Sequence, residues 1–134
     1  MYLPWENFGW TLGFALSGLA VMFLGLLIFD VLLPFNLFAE VENGNEAAGW
    51  LVAGFLISTG IVLGDAFRHN VGWLQGIAYS VLGILINYLG YYLWEWFTPK
   101  WSLTASIQKG SPAAGKVLFG IFVAIGLVVA GSFS

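Results

Sequence analysis

Two stretches decide the architecture: Pro34–Gly49, PFNLFAEVENGNEAAG, and Pro99–Gly115, PKWSLTASIQKGSPAAG. Each is a polar segment set between two long apolar runs, and the second echoes the first. Leu37 matches Leu103, Ala39 matches Ala105, Gly44 matches Gly110, and Ala47-Ala48-Gly49 matches Ala113-Ala114-Gly115. Asn45 and Ser111 occupy the same place, each a residue whose side chain can cap the helix that follows. Pro112 strengthens the second start, because proline suits the first helical position.

Working outward, the echo continues into the preceding runs. At an offset of 65, Gly18 pairs with Gly83, Gly25 with Gly90, Asp30 with Glu95 and Pro34 with Pro99. One residue is gained in the second loop. At an offset of 66, Gly54 then pairs with Gly120 and Gly60 with Gly126. The proline, carboxylate, cap and Ala-Ala-Gly matches are harder to obtain by chance than the glycines, of which the chain has 18.

The apolar runs fall at about Trp10 to Leu33, Ala47 to Phe67, Gly72 to Phe97 and Ala113 to Phe133. About 20 apolar residues cross the hydrocarbon core of a bilayer, so each is long enough. The reading is an all-α integral membrane protein of four transmembrane helices, a tandem parallel duplication of a two-helix unit. The units are residues 1–68 and 69–134. With two spans per unit, both units have the same orientation. The loops after spans one and three each carry an apolar i, i+4 pair, which predicts a short helix lying on the membrane surface. In the first, Leu37, Phe38 and Val41 share one face against Glu40 and Glu42.

Composition agrees. The 134 residues are 60% hydrophobic and 8% charged, with mean hydropathy +0.89. A soluble domain carries about 25% charged residues. Four Lys+Arg cannot build a nucleic-acid footprint. With no cysteine and one histidine, thiolate chemistry, disulfides and multi-imidazole metal sites are excluded within one chain. No nucleophile–base–orienter set and no phosphate-binding loop can be assembled. No enzyme activity, cofactor or metal is expected. Met1 is followed by Pro4, Trp5 and Glu6 rather than a basic region, so the first run is read as retained. Trp5 and Trp10 suit the headgroup level there, as Tyr88, Tyr91, Tyr92, Trp94 and Trp96 suit it at the end of span three.

At Asp30, Pro34-Phe35-Asn36-Leu37 and Gly44-Asn45-Glu46-Ala47, the chain resembles domain-of-unknown-function family 350, the YjfL-like small bacterial inner-membrane proteins. The resemblance covers nearly the whole chain, since that family is itself built of two such units. Asn36 stands where the family usually has Asp, and the second half reads Gly110-Ser111-Pro112-Ala113. The resemblance implies no reaction. It implies a location in the bacterial inner membrane and an accessory role there, in membrane maintenance.

Asp30 and Glu95 are the first functional candidates, because carboxylates in spans are costly and often mark ion or proton paths. The plainer reading is that each sits at headgroup depth and bonds loop amides or Lys100. Asn87 shares the face of Gly83 and Gly90. It is either an interhelical hydrogen bond or a pore-lining amide. Asp65 can reach Arg68 and His69. The small residues Gly18, Gly25, Gly60, Gly64, Gly83, Gly90, Gly120 and Gly126 are candidate helix-packing positions. Their excess over what four spans need points to a homo-oligomer or to a subunit of a larger membrane complex. Two functions follow: a non-enzymatic scaffold or accessory subunit packing through glycine faces, or a small oligomeric channel or transporter with a path near Asp30, Glu95 and Asn87. Lys100, Lys109 and Lys116 put the loops after spans one and three on the cytoplasmic side and the termini outside.

Overall fold

The computed structural model describes residues 5–68, 73–97 and 102–132. His69, Pro99, Lys100 and Phe133, with Met1, Pro4 and the side chain of Trp5, lie outside the described residues. Among the described residues six helices follow one another: α1 (Trp5–Leu32), α2 (Leu37–Glu42), α3 (Glu46–Arg68), α4 (Trp73–Phe97), α5 (Leu103–Gln108) and α6 (Pro112–Gly131). Among the described residues there is no strand. Helices α1, α3, α4 and α6 are each long and apolar enough to cross a membrane.

The helix boundaries have local causes. Asn45 Oδ1 accepts the Ala48 N–H at 3.2 Å, and Ser111 Oγ accepts the Ala114 N–H at 3.4 Å, so both expected caps are made. Gly44 and Gly110 stop the short helices in the left-handed region, at φ 83° and 80°. The same pair of hydrogen bonds closes both ends. Asn45 N–H reaches Glu40 O and Gly44 N–H reaches Val41 O; Ser111 N–H reaches Ser106 O and Gly110 N–H reaches Ile107 O.

Helices α3 and α6 run in the same direction and form the closest pair. A methyl group built on Gly115 would lie 2.7 Å from Ala47 Cα, one on Gly54 would lie 2.8 Å from Phe119 Cα, and one on Gly126 would lie 2.9 Å from Ser58 Cα. Only hydrogen at these positions lets the two backbones approach so closely. Helices α1 and α4 flank this pair and also run in one direction. Tyr88 Oη donates to Gly25 O, and Tyr92 Oη donates to Leu32 O at 3.5 Å, further along both helices. Loop helices α2 and α5 therefore share one end of the bundle.

All four long helices meet at an aromatic cluster around Phe29. Its ring lies 5.6 Å from Phe55, 5.4 Å from Tyr88, 5.4 Å from Tyr91 and 5.9 Å from Phe122. Each such pair adds about 0.5–1.5 kcal/mol beyond area burial. In lipid, where burial itself gives little drive, such packing holds helices together. Helix α3 is central and α1 peripheral: half of α3's apolar window is buried, against 22% of α1's.

Candidate functional site

Polar contacts that link one helix or loop to another lie at the loop end of the bundle and at Ser58–Asn87 in its middle. At the loop end, Asp30 Oδ1 accepts the Leu37 N–H at 2.7 Å. Asn36 Oδ1 accepts the Ala39 N–H at 3.0 Å. The carboxylate in the last turn of α1 thus reaches across the turn to satisfy the first free amide of α2, while Asn36 satisfies the third. An anion there also suits the positive end of the helix.

Glu95 does the corresponding work on α5. Its Oε1 accepts the Thr104 N–H at 2.7 Å and the Thr104 hydroxyl at 3.3 Å, and its Oε2 accepts from Ser102 Oγ at 3.3 Å. Ser102 Oγ in turn accepts the Ala105 N–H at 3.2 Å. Asp30 takes the amide of the residue after its cap, Glu95 the amide two after. Glutamate's extra methylene supplies the added reach. Tyr91 Oη shares a hydrogen bond with Thr104 Oγ1, which extends this network toward Phe29. Both carboxylates are half-buried, and both hold loop amides.

Asn45 joins the two corners. Beyond its cap, Nδ2 donates to Ile107 O at 2.7 Å and to Glu40 Oε2 at 2.9 Å. Ile107 O belongs to the last turn of α5, so one amide side chain serves three helices. Sequence reading treated Asn45 as a cap alone. A second-half partner for it could have been sought, since Ser111 is too short to do the same.

In the middle of the bundle, Asn87 is fully buried and Ser58 Oγ donates to its Oδ1 at 3.0 Å, a bond between α4 and α3. The Asn87 amide nitrogen has no partner among the described residues. Ser58 was not singled out in the sequence; its only signal is a small polar residue at mid-span. Thr59 and Ser80 donate to carbonyls of their own helices, at 3.0 Å to Phe55 O and 2.7 Å to Gly76 O. Asp65 pairs with Arg68 at the far end of α3.

The named glycines divide by what faces them. A methyl on Gly25 would lie 2.9 Å from Ile84 Cδ1, one on Gly83 3.1 Å from Val62 Cγ1, and one on Gly90 would overlap Ile125 Cδ1. Gly126 meets Ser58, as above. Gly18 is buried. Among the described residues, Gly60 has only Met22 Cε near it, at 3.9 Å, and Gly64 and Gly120 face nothing within 4 Å. Gly54 and Gly115, absent from the sequence-based packing set, make two of the three closest backbone approaches. The loop helices also depart from expectation in facing. Leu37 is fully buried, but Phe38 and Val41, expected on the same face, are exposed.

Among the described residues, no group of acidic or histidine side chains is placed to hold a metal ion. The hydrogen bonds of this arrangement tie helices and loops to one another. No solved structure matches the chain. It is similar to the UPF0719 transmembrane protein YshE of Bacillus subtilis (strain 168), 25% identical over 107 residues that cover 80% of each chain. The family model described as Domain of Unknown Function (DUF350) matches residues 2–133, and the chain, a multi-pass membrane protein with four apolar helices, belongs to that family.

Proposed function

We propose that this protein is a non-catalytic membrane scaffold or accessory subunit, built as a tandem, parallel pair of two-helix units. The observation that carries the reading is the use of the two carboxylates at the loop ends of α1 and α4. Asp30 holds the first amide of α2 and Glu95 the second amide of α5, a structural task that ties loop to span. The matched caps, matched glycine stops and matched carboxylate contacts support the tandem reading. Exposed Phe38 and Val41 on α2 support a position in the headgroup layer, where an apolar side chain can face the acyl boundary. Lys109 and Lys116 support a cytoplasmic side for both loop helices, in the cytoplasmic membrane of a bacterium.

One observation favours the second reading, a small oligomeric channel or transporter: the Asn87 amide nitrogen without a partner, deep among the spans. Ion flux into liposomes separates the two. Purified protein is expected to pass no more potassium, sodium or protons than protein-free vesicles. A flux carried by the unaltered chain and abolished by Asp30→Asn with Glu95→Gln would overturn the scaffold reading.

A further inference from the structure

Helix α3 lies as a ridge in a groove formed by α4 and α6. Three contacts define the seat. Ser58 Oγ bonds Asn87 Oδ1 at 3.0 Å. A methyl on Gly83 would stand 3.4 Å from Val62 Cβ, and one on Gly126 would stand 2.8 Å from Ser58 Oγ. The ridge is Gly54, Ser58 and Val62; the groove is Gly83, Asn87 and Gly126.

Carried across by the repeat offsets, the same ridge on α6 is Gly120, Ala124 and Val128, and the same groove on α1 and α3 is Gly18, Met22 and Gly60. Within one chain this second ridge and second groove stand apart. Val62 is 1% exposed but Val128 is 72% exposed. A methyl on Gly54 would strike Phe119, while one on Gly120 would meet nothing within 4 Å among the described residues. The second groove is an open cavity of about 270 Å³, lined by Gly18, Met22 and Gly60 with Phe14 and Leu63.

The residue pairs change together. Ser58 against Asn87 becomes Ala124 against Met22: a hydroxyl and an amide are replaced by a small and a long apolar side chain. Val62 against Gly83 is kept as Val128 against Gly18. Ridge and groove therefore remain complementary although they do not meet inside one molecule.

A closed two-fold relation between the units would set Ala124 on Gly60 of the same chain. Instead Ala124 is exposed, and Met22 Cε is the atom nearest a methyl on Gly60. The units are related head to tail, and a head-to-tail relation leaves one ridge and one groove unfilled per chain. We propose that a second copy of this chain fills them: the α6 ridge of one molecule seats in the α1/α3 groove of the next, as α3 seats between α4 and α6. Repetition about an axis along the membrane normal closes a ring. The inference rests on the tandem-unit reading above and names the partner that the scaffold reading leaves open.

The chain has no cysteine, which makes cross-linking direct. At the template pair, the Gly83 methyl and Val62 Cβ are 3.4 Å apart, beside the disulfide range of about 3.5–4.5 Å between Cβ atoms. Oxidation of Gly18→Cys with Val128→Cys in native membranes is expected to give a reducible ladder of covalent multimers, and neither single variant is. Met22→Cys with Ala124→Cys, bridged by a short bis-thiol reagent, gives the same ladder without altering a buried glycine. Adding Ala124→Leu to the first pair removes the ladder and leaves helicity unchanged, since Ala124 is exposed in the single chain. The proposal is overturned if both pairs stay single-chain, or if Val128→Cys alone links to itself, the mark of a two-fold face. Ion flux would remove the scaffold reading and leave the ladder standing; a missing ladder would remove head-to-tail association and leave the flux result standing.

Discussion

The two corners of the bundle are written in nearly the same residues and carry different loads. In the first, Asp30, Asn36, Gly44, Asn45 and Ala47-Ala48-Gly49 turn the chain from α1 into α3. In the second, Glu95, Ser102, Gly110, Ser111 and Ala113-Ala114-Gly115 turn it from α4 into α6. Caps and stops are made alike in both. Yet a methyl on Gly115 would strike the backbone of Ala47, and one on Gly49 would meet nothing within 4 Å among the described residues. Asn45 bonds across to Ile107 O, whereas Ser111 Oγ bonds the Ala114 amide of its own corner. The difference teaches that local turn chemistry repeats with the sequence, whereas the load on each copy depends on which side of it the other unit sits.

That comparison can be broken most sharply at the third residue of Ala-Ala-Gly. Gly115→Ala is expected to cost about 3 kcal/mol, the upper part of the overpacking range, because the obstacle is backbone and cannot rotate away. Gly49→Ala in dispersed single chains is expected to stay within about 0.5 kcal/mol of the unaltered protein, as surface substitutions do. Unfolding by denaturing detergent, followed by helicity, measures both. Equal effects would mean that the two glycines are equally loaded.

The carboxylates come next. Glu95 serves two hydroxyls and an amide, and the contact to Asp30 is a single amide. Glu95→Ala is expected to lower stability by about 2 kcal/mol and Asp30→Ala by about 1.5 kcal/mol, within the range for hydrogen bonds to charged groups and at its lower edge. The same unfolding assay ranks them, and the reverse order would show that the second network is not the stronger.

The smallest effect is expected at the caps. Asn45→Ser gives the first corner the cap of the second. It keeps an acceptor for the Ala48 amide but loses the bonds to Ile107 O and Glu40 Oε2, at about 1 kcal/mol for the two together, because both groups left behind are part-exposed and regain water. Ser111→Asn exchanges one good cap for another and is expected to change stability by less than about 0.5 kcal/mol. Matching losses at the two positions would remove the bridging role of Asn45.

Much of this was legible in the chain. The four spans follow from runs of apolar residues, and the caps at Asn45 and Ser111 follow from side chains whose oxygen reaches the amide three residues on. The plainer role of Asp30 and Glu95 was also within reach, because a carboxylate one turn before a loop helix lies close to that helix's free amides. Ser58 was hidden, since a serine at mid-span has no local partner to betray it. Gly54 and Gly115 were hidden among other glycines: four-residue spacing marks a face, and Gly60, Gly64 and Gly120 have it without meeting a neighbouring backbone among the described residues.

By itself, the sequence determined that this protein is helical, spans a membrane, and turns twice by the same local device, because hydropathy and hydrogen-bond reach act over a few residues. The tertiary structure decided which glycine is pressed, which cap becomes a bridge and which ridge is left bare. Those outcomes depend on how one two-helix unit is set against the other, and near-identical motifs contain no record of which side of them will be covered.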